Sequence, residues 1–532
     1  MKDTPVFSRA AAAAPHGLAA QAGRTVLAMG GNAVEAMIAM ASTIAVVYPH
    51  MNGVGGDGFW LVREKGGKVR ALEAAGAAGS LATIRRYRDL GHAAIPSRGI
   101  HAALTVPGTV GGWTEALSLA AAMGGRIPLR DLLADAIRHA REGVAMSSGE
   151  AAYSLREQND VLAAPGFAEV FLLDGERHKA GEIRTFPALA ATLEHLAHSG
   201  TDDFYRGDVA REIAADAERF LLPFTRADLE RQKAHWREPL SVRIPGAVLF
   251  NQPPPSQGLA HLLMLGIHAR LGRHEPESFG HIHSLVEAAK RAWRIRDAVV
   301  TDFDRLTQDP RSFLNADVLD REAERVSPDR AAPFPLPPPG DGDTVWMGCI
   351  DAEGNAVSFI QSLFWEYGSG VVLPRTGILL QNRGRAFSLD PRSQNPLEPG
   401  RRPFHTLNTP LAVFDDGRVM SYGTMGGDPQ PQISAQTFVR YAVYGVPISE
   451  ALDRPRFSLS VAWGAECATL KLEERFDPSV VRALERAGHV VESFGKPYAN
   501  PAGHAGILMR DPRNGSVAAD HDPRSDGGAA GI

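Results

Sequence analysis

The sequence predicts a layered α/β protein, with stacked sheets enclosed by helices. Three observations carry this. The C-terminal third sets short strands close together, at Trp346–Ile350, Ala356–Gln361, Gly377–Gln381, Leu411–Phe414 and Val419–Gly423. These strands are hydrophobic on both sides, so both faces need cover. Helical patterns supply it, at Pro431–Tyr444, Ile448–Asp453 and Pro478–Ala487 and again through the first half of the chain.

Bulk properties set limits. The chain has 532 residues, 44% hydrophobic and 22% charged, roughly two to four domains' worth of material with a large core. A formal charge of -5 without a long Lys/Arg block argues against a nucleic-acid partner. Two cysteines, Cys349 and Cys467, exclude a disulfide framework and a thiolate zinc site, though a single bridge stays open. Cys349 sits in an apolar strand and reads as a small buried hydrophobe. The N-terminus has no continuous apolar stretch, being broken by Pro5, Arg9, Pro15 and His16. The longest apolar run, Ala33–Val47, contains Glu35 and stops near Pro49, too short for a membrane span. No membrane partner and a cytoplasmic location are the expectation.

In chain order, Leu18–Met29 and Ala33–Val47 read as helices split by Gly30-Gly31-Asn32, the second apolar all round and therefore buried. The glycine-rich stretch Asn52–Val62 implies positive φ or close backbone approach. A strand follows it rather than a helix, and no Gly-Lys-Ser/Thr is present, so it is neither a dinucleotide nor a phosphate loop. Leu104–Trp113 is a second glycine-rich turn before a helix at Thr114–Ala122. Leu129–Gly143, Pro187–His198 and Asp202–Phe220 read as further helices, the last with a solvated charged face. Leu240–Phe250 reads as a strand and Asn251–Gly258 as a rigid turn. Ile282–Val300 reads as a long helix with His281 and His283 at its start. An H-x-H pair can ligate a metal, but no third ligand lies nearby, and helix-start packing is the reading taken.

One junction stands out. A proline-rich run, 331–340, leads through Asp341-Gly342-Asp343 into Thr344, where strand pattern begins abruptly; a Gly354-Asn355 turn and a second strand follow. A flexible approach ending on a hydroxyl residue suits a chain that cuts itself between Asp343 and Thr344. The freed threonine would carry its base, the α-amine, beside its nucleophile, the hydroxyl. A threonine opening a strand after a loop is otherwise commonplace, so the approach is what distinguishes this one.

With these segments placed, the chain resembles the γ-glutamyltranspeptidase family of N-terminal-nucleophile hydrolases nearly end to end. The blocks are Gly30–Val34, Val54–Phe59, Val106–Val110, Pro253–Ser256, Asp343-Thr344, Gly354–Val357, Gly368–Gly370, Thr376–Ile378, Gly423–Gly427 and Asp522–Ser525. The resemblance implies a four-layer αββα sandwich, one compact unit of two autocleaved chains, 1–343 large and 344–532 small. Carried over, Thr344 matches the nucleophile, Ser362 the hydroxyl that hydrogen-bonds it, and Gly426 and Gly427 the pair whose N–H groups form the oxyanion hole. Tandem glycines before a helix leave such donors bare and in a favourable dipole.

The departures are informative. The arginine that holds a glutamyl α-carboxylate is replaced by Leu72, an asparagine for the α-amine by Phe364, an acidic residue with the same task by Ala386, and a serine pair by His405-Thr406. Arg383 is gained where the transpeptidases keep an uncharged amide, and a guanidinium suits a small carboxylate. Phe364 and Trp365 are expected to shrink the pocket. These features resemble the oxamate amidohydrolase branch, which turns oxamate into oxalate and ammonia in purine-nitrogen salvage, and they add Asn382, His405, Thr406 and Asp428 to the substrate site. A structural salt bridge from Arg383 to a carboxylate such as Asp390 is the alternative for that residue. His405 either orients substrate or fills a polar corner. The function expected is a self-processing amidohydrolase acting on a small carboxylate-bearing amide. Alternatives are a γ-glutamyl hydrolase or transpeptidase, a cephalosporin-acylase-like amidase, or an uncut binding protein. No metal or organic cofactor is implied, and a homodimer of heterodimers is left open.

Overall fold

A computed structural model describes residues 3–154, 159–334, 343–460 and 468–532. Its centre is a pair of seven-stranded antiparallel sheets. The first runs in the order Gly528–Gly531, Ala11–Ala14, Asp343–Ile350, Ala356–Phe364, Asp57–Arg63, Val69–Ala74, His235–Arg237. The second runs Val6–Phe7, Val517–His521, Ala505–Arg510, Val419–Thr424, Leu411–Phe414, Ala247–Asn251, Leu240–Ile244. Both sheets therefore mix strands from before and after Thr344.

Strand periodicity sorts the side chains into layers. Along Asp343–Ile350, Trp346 and Ile350 face the second sheet, clustering with Ile360 of the adjoining strand and with Val419 and Leu508 of the second sheet. Val345, Met347 and Cys349 face the helices Gly17–Ala28 and Ala33–Val47. The other face of the second sheet packs on the helices Gly258–His268, Phe279–Val299 and Gln430–Phe438. The result is the αββα sandwich. Trp346 fits between the sheets because Gly423 and Gly506 stand beside it: a Cβ at either would lie 2.3–2.4 Å from its indole. Its Nε1 donates to Ser358 Oγ at 2.9 Å.

Helix Ala33–Val47 is buried on every side and capped by Asn32, whose side chain accepts from the Val34 and Glu35 N–H groups while Glu35 reaches back. Several boundaries differ from the sequence reading. The helix after Pro107 begins at Thr109 rather than Thr114; Gly112 is kept inside it because a Cβ there would press on Ala74 at 2.7 Å. Leu240–Phe250 is a hairpin, not one strand, turning at Pro245-Gly246. Gly377–Gln381 contributes only Ile378–Leu379, paired with Val372–Leu373. Cys349 is a buried free thiol, while Cys467 lies outside the described residues. Among the described residues no helix is long and apolar enough to cross a membrane.

Candidate active site

Thr344 is the second residue of the central strand Asp343–Ile350 and is 1% exposed. A register shift separates the Asp343 and Val345 pairings, so Thr344 sits at an irregularity in the ladder. Its hydroxyl donates to Ser362 Oγ at 3.0 Å. Ser362 Oγ in turn accepts the Phe364 N–H at 2.8 Å. That bond draws the chain into a tight bend, and Phe364 takes φ 84, costly for a bulky side chain and tolerated where the surroundings impose it. The glycines of the Asn52–Val62 stretch serve close approach: a Cβ on Gly56 would lie 2.1 Å from the Ser362 carbonyl oxygen.

Gly426 (φ 119) and Gly427 (φ 59) form the turn between strand Val419–Thr424 and helix Gln430–Phe438. Only glycine adopts such a pair readily. Neither N–H finds an acceptor among the described residues. Bare donors near a helix start are suited to receiving negative charge.

Arg383 opens a short 3-10 turn, Arg383–Ala386, and is 1% exposed. Its guanidinium lies over the Phe364 ring, Cζ 3.8 Å from the centroid. Nη2 donates to Thr406 Oγ1 at 3.3 Å, and Nη1 has no partner among the described residues. Asp390 is not its counter-ion, because that carboxylate holds Arg392. Burial without a paired carboxylate lowers the Arg383 pKa to about 9. The carboxylate nearest in effect is Asp57, also buried. Desolvation raises Asp57 to about 7 even though Gly76 N–H (2.8 Å) and Gln381 Nε2 (3.0 Å) donate to its Oδ1.

The other expected site residues divide. Thr406 and Asp428 line the same chamber as Arg383. Asp428 Oδ1 accepts from Arg296 Nη1 at 2.6 Å. Asn382 braces the loop, accepting the Trp365 N–H at 3.1 Å and donating to the Ser97 carbonyl at 2.8 Å. His405 is fully buried off the chamber, its Nε2 3.5 Å from Asp57 Oδ2 and its ring 5.0 Å from Phe59. Burial, then the charge of Arg383, keeps it neutral, and neither ring nitrogen finds a hydrogen-bond partner among the described residues. Phe364 and Ala386 line the chamber, but Leu72 is core and Trp365 faces elsewhere. The chamber that Phe364 helps to wall holds about 870 Å³.

Three contributors escaped the sequence reading. Gln257 donates to the carbonyls of Thr406 (2.5 Å) and Gly427 (3.0 Å). Arg296 donates to Gln257 Oε1 at 2.8 Å as well as to Asp428. Asp57 stands opposite Ser362 in the strand ladder. An aspartate within a glycine-rich run and a glutamine closing a proline turn were the available signals; Arg296 had none.

The His281–His283 pair does not act together. His281 accepts the Glu277 N–H, whereas His283 Nδ1 meets His489 Nε2 at 2.9 Å and its Nε2 meets the Ser327 carbonyl at 2.8 Å. Glu287 lies close enough to complete a trio whose donor atoms fall within 4.8 Å, but it holds Lys290 Nζ at 2.6 Å. Hydrogen bonding accounts for these contacts. The same Lys290 and Glu287 grip the Ala332 carbonyl and N–H, fastening the segment that leads toward Thr344.

Two stacked antiparallel sheets between helix layers, with a hydroxyl residue at the start of a central strand, define an N-terminal-nucleophile hydrolase fold. Residues 19–532 match the family model described as gamma-glutamyltranspeptidase, and the chain belongs to that family as an amidohydrolase. It is 46% identical over 532 residues to the oxamate amidohydrolase proenzyme of Klebsiella pneumoniae, covering 100% of each chain. It is 37% identical to a glutathione hydrolase-like proenzyme of Bacillus subtilis, again covering 100% of each. Among solved structures it superposes on the cephalosporin acylase from Bacillus halodurans with TM-score 0.90 and 32% identity, covering 100% of this chain and 97% of that one.

Proposed function

We propose that the protein is a self-processing amidohydrolase, divided into chains 1–343 and 344–532, that hydrolyses oxamate to oxalate and ammonia. The observation that carries the reading is Arg383: a buried guanidinium held by one hydroxyl and one aromatic face, with Nη1 free. No carboxylate among the described residues pairs with that charge directly, so a small carboxylate is its natural complement. The full-length likeness to a proenzyme named for oxamate supports the same choice.

Thr344 Oγ attacks the Asp343 carbonyl, the acyl group moves from nitrogen to oxygen, and water releases it. The free Thr344 α-amine then accepts the hydroxyl proton as Oγ attacks the substrate carbonyl. Gly426 and Gly427 N–H groups stabilise the oxyanion. Ammonia leaves with a proton, and water hydrolyses the oxalyl ester. Ser362 holds the Thr344 hydroxyl in line throughout. The chemistry uses protein groups and water alone.

The test is ammonia release from oxamate, glutamine, a γ-glutamyl anilide and a β-lactam side-chain amide. Oxamate should be turned over fastest. Fast anilide turnover with none of oxamate would return the protein to the glutathione hydrolases. The second reading, an acylase taking a bulkier amide, is favoured by the volume of the chamber.

A further inference from the structure

The oxamate reading leaves most of the chamber unused. With the oxalyl carboxylate on Arg383 and its carbonyl at Thr344, both ends of the acyl part are fixed. Thr344 itself does not line the chamber, whereas Arg383, Phe364, Thr406 and Asp428 do; the amide nitrogen is the one position from which an oxalyl substrate can extend into it. A volume of about 870 Å³ lies in the range that encloses a drug-sized ligand, far beyond a two-carbon acid.

The charges around that space are mostly committed. Asp297 and Asp428 hold Arg296, Asp390 holds Arg392, and Arg88 donates to the Leu389 carbonyl at 2.9 Å. Arg385 is the exception. It follows Arg383 by two residues in the same 3-10 turn, is half-buried, and lines the same chamber. Its guanidinium has no partner among the described residues. One turn therefore delivers two uncommitted cations to one cavity. The deep cation suits the acyl carboxylate, and the shallower one suits an anion beyond the scissile nitrogen.

Resting on the reading of Thr344 and Arg383 above, we infer that the site also hydrolyses N-oxalyl amino acids, secondary amides whose amine part carries its own carboxylate, which Arg385 receives. Thr344 Oγ forms the ester bond to the oxalyl carbon as the C–N bond breaks. The amino acid leaves with the proton held by the Thr344 amine. Water then cleaves the ester to oxalate and restores the hydroxyl. No co-reactant other than water is consumed.

Processed enzyme is assayed on oxamate, N-oxalylglycine and N-ethyloxamate, following oxalate together with ammonia, glycine or ethylamine. Glycine should be released, with kcat/KM about tenfold above that for N-ethyloxamate, the gain of one charge-assisted hydrogen bond. Arg385→Gln should bring that ratio to about one, and Arg385→Lys should keep much of it, both as cleaved two-chain proteins with unchanged melting. Ammonia from oxamate with no glycine from N-oxalylglycine overturns the inference and leaves the oxamate reading standing. A ratio near one in the wild type, or one that survives Arg385→Gln, overturns the assignment of Arg385. No oxalate from any of the three overturns the underlying reading and the inference with it.

Discussion

Arg296 and Asp428 meet at 2.6 Å across the interface between the long helix Phe279–Val299 and the glycine turn of the second sheet. The same guanidinium holds Gln257, and Gln257 holds the Gly427 carbonyl. Two residues that precede Thr344, Arg296 and Gln257, thus brace the turn that presents the Gly426 and Gly427 N–H groups. Arg296→Met would take a buried cation from Asp428 and the donor from Gln257. Breaking a buried pair from one side costs about 3–5 kcal/mol. Urea unfolding should show a loss of that order, and turnover by the folded fraction should fall as well. Unchanged stability would mean that Asp428 finds water or another cation in place of Arg296.

The nucleophile prediction is direct. Purified protein should separate into two chains on a denaturing gel, with the smaller beginning at Thr344 by mass. Thr344→Ala removes the hydroxyl that donates to Ser362 and should remain a single chain. A full-length wild type after prolonged incubation would refute self-cleavage at this junction.

Gly427 tests the oxyanion turn. Its φ of 59 is left-handed, so Gly427→Val imposes backbone strain and shifts both donors. Losing one such donor costs roughly a hundred- to a thousandfold in turnover. Near-normal kcat in correctly processed Gly427→Val protein would place the oxyanion elsewhere.

The layers and the long helices were legible because they rest on local pattern: closely set strands hydrophobic on both sides, and apolar runs at helical spacing. Motif resemblance also singled out Ser362, Gly426, Gly427 and Arg383. The bracing was not legible. Gln257 and Arg296 come together with Gly427 through contacts spanning up to 170 residues of sequence. No local period records such a contact. The place of Trp365 was not legible: it was expected to wall the pocket, whereas its N–H is held by Asn382 and its ring lies beside Arg98. Leu72 was read as an altered site residue, yet strand alternation sends it into the helix-facing core.

Asp57 sets a pH dependence. Its pKa is raised by burial from 3.8 to about 7. The folded state therefore binds this proton more tightly than the unfolded chain. The associated stability is fully present below 3.8 and is lost as pH climbs through about 7. Binding follows the same direction. Below about 7 Asp57 is neutral and Arg383 offers its whole charge; above it, Asp57 competes with a substrate carboxylate. His405 stays neutral throughout and Asp428 is tied to Arg296, so neither reverses the trend. KM for a carboxylate substrate should rise between pH 6 and 8, and Asp57→Asn should flatten that rise. A wild-type KM that stays level across this interval would separate Asp57 from the site.

Arg383→Met tests the carboxylate grip itself. Methionine keeps much of the bulk against Phe364 but loses the charge and the forked donors. A charge-assisted hydrogen bond is worth about 1.5–3 kcal/mol, and each ~1.4 kcal/mol is tenfold in kcat/KM. The specificity constant for oxamate should therefore fall roughly ten- to a hundredfold. The loss should be confined to substrates carrying a carboxylate beside the scissile carbonyl, and a neutral amide such as acetamide should be little affected. Cleavage before Thr344 should proceed, because that step recruits no external anion. Among the described residues the wild-type guanidinium is held by Thr406 and the Phe364 face alone, so its removal strands no buried partner there except the Thr406 hydroxyl. Equal losses on charged and neutral amides, or a variant that stays uncut, would show that Arg383 supports the fold of the loop and not the substrate.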